Sequence, residues 1–318
     1  MKNIKSQSYG MLLACISAFS TGLFGMFLIL LDNFGIDEMS ITIFTPLFPG
    51  LAFLIISLVR NPRALLLKKK IYYFTLVIGS GMILFPLYNY TYVKAYTYLP
   101  MAIASLFSFC NSIVLIFLMR LFFKKKITKQ KIICAVVALI GLMLVLDVFT
   151  DVSHSDISGL AILWGIAVAI SLAASYTIDY FHVQVDIEPF TIQTYSSILA
   201  TIPYFMSYSP ISFINNISNA VQTHGVLVLL TLFAYGVAVT VSYGGVTSCY
   251  KYIDASKGSL VFALEPVISA LVGYFIFSQL LSLYKILGMI IAILAILYLQ
   301  HMENKSEKAN PENTNNCN

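Results

Sequence analysis

The chain has 318 residues, of which 59% are hydrophobic and only 10% are charged, and its formal net charge is +5. Soluble domains carry about 25% charged residues, so this composition excludes a water-soluble globular protein and indicates one embedded in a lipid bilayer. The five cysteines show no paired spacing, which argues against a disulfide scaffold and against a cysteine metal site.

Apolar runs long enough to cross a membrane follow one another along the chain. A helix needs about 20 apolar residues to span the hydrocarbon core. The pattern predicts ten transmembrane helices, over residues 8–31, 38–59, 71–93, 101–122, 131–150, 157–180, 189–209, 224–250, 256–278 and 282–300. The first run is longer than the apolar core of a signal peptide, so we expect it to persist as a helix. Residues 301–318 are polar, and we expect them to form a disordered tail.

The basic residues predict how these helices are oriented. If the N-terminus is cytoplasmic, 17 of the 19 Lys and Arg residues fall in cytoplasmic segments. This asymmetry is typical of multi-pass proteins and predicts that both termini are cytoplasmic, in the plasma membrane. Basic clusters can also bind anionic lipids or nucleic acid, but topology explains them here, and we expect no nucleic-acid partner.

The two halves of the sequence resemble each other. An offset of 154 residues aligns the ends of the halves, as in Thr128 with Ser282, and an offset of 149 aligns their beginnings, as in Asp37 with Asp186. Each half contains five predicted spans, an odd number, so the second half must enter the membrane from the opposite side. Inverted repeats of this kind are the architecture of secondary transporters.

The sequence KGSLVFALEPVISALVGY, from Lys257 to Tyr274, resembles the penultimate helix of the EamA-type transporters of the drug/metabolite transporter superfamily. The loop and helix that follow, SQLLSLYKILG, resemble the end of the same unit. The resemblance covers nearly the whole chain as two EamA units, 8–150 and 157–300. It implies an all-α bundle of ten transmembrane helices that moves small organic solutes, often as an exporter.

The chain also departs from the family pattern. The family usually has Glu in the loop before the last helix of each unit, where this chain has Lys125 and Gln279. The Leu-Glu-Pro motif is absent from the first unit, where Cys110-Asn111-Ser112 occupies the matching place, and an Arg common in the second helix is missing. The identity of the substrate therefore cannot be carried over from other members.

Glu265 is the one carboxylate placed well inside a predicted span, and Pro266 follows it. A proline removes a helical hydrogen bond, so we expect a kink there, and broken helices near the midplane form transporter sites. Glu265 could bind substrate or a proton, or it could be a structural residue that stabilises the kink. Asn111, at the equivalent position of the first repeat, could bond substrate or simply bond a neighbouring helix.

Several other polar and aromatic residues are weaker candidates for the same site. Asp179 is predicted near the cytoplasmic end of the sixth span, where solvation is the simpler interpretation. Tyr88 and Tyr92 recur every four residues and could hold an aromatic or cationic solute, or could belong to the interfacial aromatic belt. Asn89 lies deeper than a belt residue should. Tyr176 and Tyr243, within the sixth and eighth spans, complete the candidates.

No motif for an enzyme is visible: the chain lacks HExxH, GxSxG and a phosphate-binding Gly-rich loop, and its four histidines are scattered, mostly in loops. We therefore predict no cofactor, no metal and no catalytic role. The leading hypothesis is a secondary transporter whose site is lined by spans three, four, six, eight and nine. The rival is a non-transporting membrane sensor or assembly partner that keeps the transporter fold. The expected partners are a small-molecule substrate and the lipid bilayer, and a homodimer is left open.

Overall fold

The computed structural model describes residues 2–67, 69–99, 101–125, 127–145, 158–277 and 282–309, and every regular element within these ranges is helical. The α-helices are α1 Lys2–Gly22, α2 Phe24–Asn33, α3 Glu38–Arg60, α4 Lys70–Phe74, α5 Phe85–Tyr98, α6 Met101–Phe123, α7 Lys129–Val145, α8 Gly159–Gln184, α9 Pro189–Ser207, α10 Pro210–His224, α11 Val226–Cys249, α12 Ala255–Val261, α13 Leu264–Phe277 and α14 Leu283–Ala309. A 3-10 turn, Pro62–Leu65, and a π-helix, Thr75–Leu84, complete the set.

Seven helical segments in the described part of the chain are long and apolar enough to cross a bilayer, and Leu283–Tyr298 is apolar but shorter. The chain is thus a multi-pass membrane protein, whereas the number ten stays a prediction. Helix α7 is not among the seven because its described part, Lys129–Val145, has 17 residues. Helix α9 carries many polar residues, and they are buried inside the protein: Thr191, Gln193, Thr194, Ser196, Ser197 and Thr201.

The predicted span over 8–31 is broken, because Leu23 separates α1 from α2. At the break the Leu23 N–H donates to the Ser20 carbonyl oxygen at 3.2 Å, a bond to the third residue back instead of the fourth. The Thr21 hydroxyl donates to the Ser17 carbonyl oxygen at 2.9 Å and bonds the Ser242 hydroxyl at 2.7 Å. A hydroxyl that bonds the preceding turn bends a helix, which accounts for the break.

Two segments without a predicted helix are helical. Residues 210–223 lie between the predicted spans 189–209 and 224–250, but they are helical in α10: Ser209 caps it, Pro210 begins it and Gly225 ends it at φ 67°. The predicted disordered tail over 301–318 is wrong up to Ala309, since α14 continues to that residue. This stretch is rich in Glu, Lys and Ala, which favour helix. The rest of the tail, and residues 146–150 of the fifth predicted span, lie outside the described residues.

The two halves pack in a symmetric manner. The first helix of the first half, α1, packs on α11 and α13 of the second half, and α8 packs on α5 and α6 of the first half. The remaining pairs are also equivalent: α3 packs on α9, and α7 packs on α14. Equivalent helices of the two halves therefore make equivalent contacts with the opposite half, as expected for two related repeats.

Hydrogen bonds test the two repeat offsets. Thr128 and Ser282 each accept a hydrogen bond from the backbone N–H three residues on, both at 3.3 Å, which supports the offset of 154. The offset of 149 is wrong at the first loop of each half, which follows α2 in the first half and α8 in the second. The Ile36 N–H bonds the Leu31 carbonyl oxygen, and the Ile187 N–H bonds the His182 carbonyl oxygen in the same way, so the offset is 151 and Asp37 matches Glu188.

Helices α7 and α14 cross at two glycines. A Cβ atom on Gly288 would lie 2.7 Å from the backbone nitrogen of Val145 and closer still to the Gly141 carbonyl oxygen. A Cβ atom on Gly141 would lie 2.9 Å from the backbone nitrogen of Ala292. Backbone-to-backbone approach of this kind requires small residues, as in other membrane helix pairs.

Candidate functional site

A narrow cavity lies between the two halves, with an empty volume of about 850 Å³. Among its lining residues are eight predicted from the sequence: Tyr88, Asn89, Tyr92, Asn111, Tyr176, Tyr243, Glu265 and Pro266. The lining comes from both halves, so motion of one half against the other would change its shape.

Glu265 lies directly after a break between α12 and α13. Pro266 has no N–H to donate to the Phe262 carbonyl oxygen, four residues back. That carbonyl oxygen accepts instead from the Glu265 N–H at 2.9 Å. The tighter turn ends α12 at Val261 and starts α13 at Leu264. The break therefore lies just before Glu265, about one helical turn before Pro266 in the chain. It places the Glu265 carboxylate in the first turn of α13, where the helix dipole favours negative charge.

Glu265 is half-buried as a residue, and it lines the cavity. Within the described part of the chain, no group donates a hydrogen bond to it, and the ion pair found there, Lys131 with Asp254, does not involve it. The break itself is supported from the first half, because the Ser112 hydroxyl donates to the Ser259 carbonyl oxygen at 3.0 Å. Hydrogen bonds thus hold the break in place and leave the carboxylate unpaired.

Asn111 faces the same cavity from α6 and is 4% exposed. Its Nδ2 donates to the Ser108 carbonyl oxygen, while its Oδ1 has no hydrogen-bond partner among the described residues. A buried amide oxygen without a donor costs free energy. The repeat equivalence of Asn111 and Glu265 is thus matched in space, since both side chains line one cavity and each carries an unpaired oxygen.

The tyrosines of α5 divide between the cavity and the membrane surface. Tyr88 and Tyr92 line the cavity, with their ring centroids 5.8 Å apart. Tyr90 and Tyr98 are exposed, and the Lys94 ammonium lies over both rings at 5.6 and 5.8 Å. The interfacial interpretation therefore fits Tyr90 and Tyr98, while Tyr88 and Tyr92 have the position of cavity residues.

Asn89 and the two remaining tyrosines complete this wall. The Asn89 amide donates to the Phe85 carbonyl oxygen at 2.9 Å, which holds its side chain along α5. Tyr176 packs on Phe262 at the helix break, with ring centroids 5.7 Å apart. The ring of Tyr243 meets the ring of Phe85 edge to face at 5.3 Å. These contacts order the aromatic rings around Glu265.

Asp179 lines a smaller neighbouring cavity, with an empty volume of about 450 Å³, that shares Tyr176 and Tyr243 with the first. The prediction of a solvated helix end is wrong, because α8 continues to Gln184 and Asp179 is only 4% exposed. Its carboxylate accepts long hydrogen bonds from Ser80, at 3.4 Å, and from Gln193, at 3.3 Å.

The π-helix brings Ser80 to Asp179. Its last carbonyl oxygen, of Leu84, accepts from the Ser175 hydroxyl of α8 at 3.1 Å, and Ser80 bonds Ser196 of α9 at 2.8 Å. Wide helical turns of this kind are often found at functional sites. His182, expected in a loop, lies buried in α8 and bonds the Thr75 hydroxyl at 3.1 Å.

The first two spans also contribute to the cavities, which was not predicted from the sequence. Thr21 and Phe24, on either side of the break at Leu23, line both cavities, and Thr42 and Thr45 of α3 line the larger one. Thr45 bonds the Tyr235 hydroxyl of α11 at 2.9 Å. The signal in the sequence for these residues was the closely spaced Thr residues inside apolar runs. A hydroxyl that faces lipid can bond only to its own helix, so such residues indicate a helix face that is turned towards the interior of the protein.

The charged side chains described in the two cavities are all negative. Neither lining contains a Lys, Arg or His among the described residues, whereas each contains one carboxylate. In the part of the chain that the structure describes, no three His, Cys, Asp or Glu residues lie together as metal ligands would. The site can therefore accept hydrogen bonds and positive charge, and it offers no fixed cation to an anionic group.

Comparison with known proteins gives the family. The model of the EamA-like transporter family matches residues 8–147 and 159–299, one copy for each half. One solved structure, described only as a crystal structure of a protein, aligns with 93% of this chain and 99% of its own, with a TM-score of 0.73 at 15% sequence identity. At that identity the likeness concerns the fold alone. No curated protein matches the chain significantly in sequence.

Proposed function

The chain belongs to the EamA-like transporter family, and on this premise we propose that it is a secondary transporter that moves a small organic solute across the plasma membrane by alternating access. It has ten spans in two inverted sets of five, both termini are cytoplasmic, and the solute is exported. The solute occupies the cavity between the halves.

The observation that carries this proposal is the unpaired carboxylate of Glu265 in a cavity between two related halves. An ionised carboxylate without a partner inside a membrane protein is costly, and such residues persist where a substrate or a proton compensates them. Glu265 therefore binds either the solute or a proton during each transport cycle. Asn111 and the surrounding tyrosines orient the solute.

Polar contacts between the halves support alternating access. Lys131 of the first half pairs with Asp254 of the second at 2.8 Å, at the end predicted to be cytoplasmic. At the opposite end the Tyr208 hydroxyl donates to the Asp37 carboxylate at 2.7 Å. Each contact joins segments that the ten-span topology puts on the same side. Such contacts can open at one end while they hold at the other.

The test is solute flux into liposomes that contain the purified protein. Wild type should move at least one member of a panel of amines, amino acids, sugars and nucleosides, and Glu265→Gln should abolish or uncouple that flux without loss of folded protein. Glu188→Gln is the matched control, since Glu188 lies at the start of α9 and does not line the cavity. Equal flux in both variants would remove Glu265 from the mechanism. No flux of any solute, with tight binding of a protein partner, would favour a sensor or assembly role.

A further inference from the structure

Two side chains that line the central cavity carry an acceptor oxygen without a donor. The Glu265 carboxylate and the buried Asn111 Oδ1 receive no hydrogen bond from the described residues. The two amide donors of the lining are already used, since the Nδ2 of Asn111 bonds Ser108 and the Nδ2 of Asn89 bonds Phe85, while the Ser108 hydroxyl has no partner among the described residues. A ligand that satisfies both the Glu265 carboxylate and the Asn111 Oδ1 must therefore donate hydrogen bonds.

Charge and surface restrict the ligand further. Among the described residues the lining holds no cationic side chain, so a carboxylate or phosphate on the ligand would meet Glu265 without compensation. Aromatic rings make up much of the wall: Phe24, Tyr88, Tyr92, Tyr176, Tyr243 and Phe262. Rings of this kind attract cations through their π-faces and also pack against apolar groups.

The cavity also restricts size. The cavity is narrow, so the charged group has to be compact. A primary ammonium is compact and carries three N–H donors, enough to reach both Glu265 and Asn111. A quaternary ammonium has no donor, and it would leave the Asn111 oxygen unpaired.

We infer that the central cavity binds a small primary amine in its ammonium form, with an apolar or aromatic body. The ammonium donates to the Glu265 carboxylate and to the Asn111 Oδ1, and the body packs among the tyrosines. This inference rests on the proposed function for its site and names the chemical class of the solute. It excludes amino acids, because their carboxylate would face Glu265 with no cationic side chain in the described lining.

The experiment compares four ligands that share one carbon skeleton. Binding to the purified, detergent-solubilised protein is measured by calorimetry at neutral pH with phenethylamine, 2-phenylethanol, phenylalanine and N,N,N-trimethylphenethylammonium. Wild type should bind phenethylamine about tenfold or more tighter than 2-phenylethanol and phenylalanine, since a hydrogen bond to a charged group is worth at least that factor. The trimethyl derivative should bind more weakly than phenethylamine. This series needs no variant, so it does not depend on a variant folding.

Two variants then assign the contacts. Glu265→Gln should weaken both cations by about tenfold to a hundredfold, so that phenethylamine loses its advantage over 2-phenylethanol. Asn111→Leu should weaken phenethylamine by about tenfold and leave the trimethyl derivative nearly unchanged, because only the primary amine donates to Asn111. Glu188→Gln should bind all four ligands as wild type does.

The outcomes separate this inference from the proposed function. The inference would be overturned if phenylalanine or 2-phenylethanol bound as tightly as phenethylamine or more tightly, or if phenethylamine did not bind. In that case, Glu265-dependent flux of another solute would still support the proposed transport function. Selective binding of phenethylamine in a protein that moves no solute would support the inference and overturn transport.

Discussion

Removal of Lys131 should destabilise the contact between the two halves by a predictable amount. The Lys131 ammonium lies 2.8 Å from an Asp254 carboxylate oxygen, and the side chains are 9% and 22% exposed. Asp254 also caps α12, where it accepts from the Lys257 N–H at 3.0 Å. Lys131→Met removes the cation and keeps a side chain of similar length, so the cap remains while the ion pair is lost.

The pKa of Asp254 sets the size of the effect. Burial raises this pKa, but the charge of Lys131 and hydrogen bonds from Lys131, Ser256 and the Lys257 N–H outweigh it and lower the pKa to about 2 from 3.8. At about 1.4 kcal/mol for each pH unit, this difference corresponds to about 2 kcal/mol of stability. Because the pKa is lowered on folding, the contribution is fully present above pH 3.8 and is lost as the pH falls through about 2.

Equilibrium unfolding in a non-ionic detergent measures this effect. At pH 7 the free energy of unfolding of Lys131→Met should be about 2 kcal/mol below wild type, and the gap should close as the pH approaches about 2. Lys129→Met, an exposed lysine on the same helix, is the matched control and should behave as wild type. The reasoning is refuted if the two variants are equally stable at pH 7, or if the gap between Lys131→Met and wild type persists unchanged in acid.

Two further predictions concern the helix crossing and the second carboxylate. Gly288→Ala should lower the free energy of unfolding by about 2 kcal/mol or more, because the new Cβ atom would meet the backbone of α7. Gly159→Ala is the control and should leave the free energy of unfolding unchanged, because no atom lies within 4 Å of its new Cβ atom. Equal effects of the two substitutions would contradict the close crossing. Asp179→Asn should keep or raise thermal stability, since an amide at this position can donate to the unpaired Gln193 Oε1, and it should lower solute flux. A strongly destabilised variant, or a variant with full flux, would contradict this interpretation.

The spans could be predicted where the apolar pattern is local. The run over 38–59 agrees with α3, Glu38–Arg60, because Asp37 caps its start and Asn61-Pro62 follows its end. The repeat offset of 154 also paired Asn111 with Glu265, and the structure brings both to one cavity. Patterns carried within a helix, or repeated between the halves, were therefore sufficient for these features.

The missed features depend on contacts between distant residues. The π-helix is bonded to α8 through Ser175 and to α9 through Ser196, and nothing in residues 75–84 alone indicates this. At the break at Leu23, the Thr21 hydroxyl likewise bonds Ser242, more than two hundred residues away in the chain. Helix α10 is different, because the Ser-Pro start and the closing Gly were visible signals for a helix.

The most direct test of the central claim is exchange of a radiolabelled primary amine, phenethylamine, across liposomes that contain the wild-type protein, Glu265→Gln or Glu188→Gln. A transporter with Glu265 at its binding site predicts rapid exchange with wild type and Glu188→Gln and background exchange with Glu265→Gln, while all three proteins unfold at the same temperature. Equal exchange with all three proteins would contradict the claim that Glu265 lies at the centre of transport.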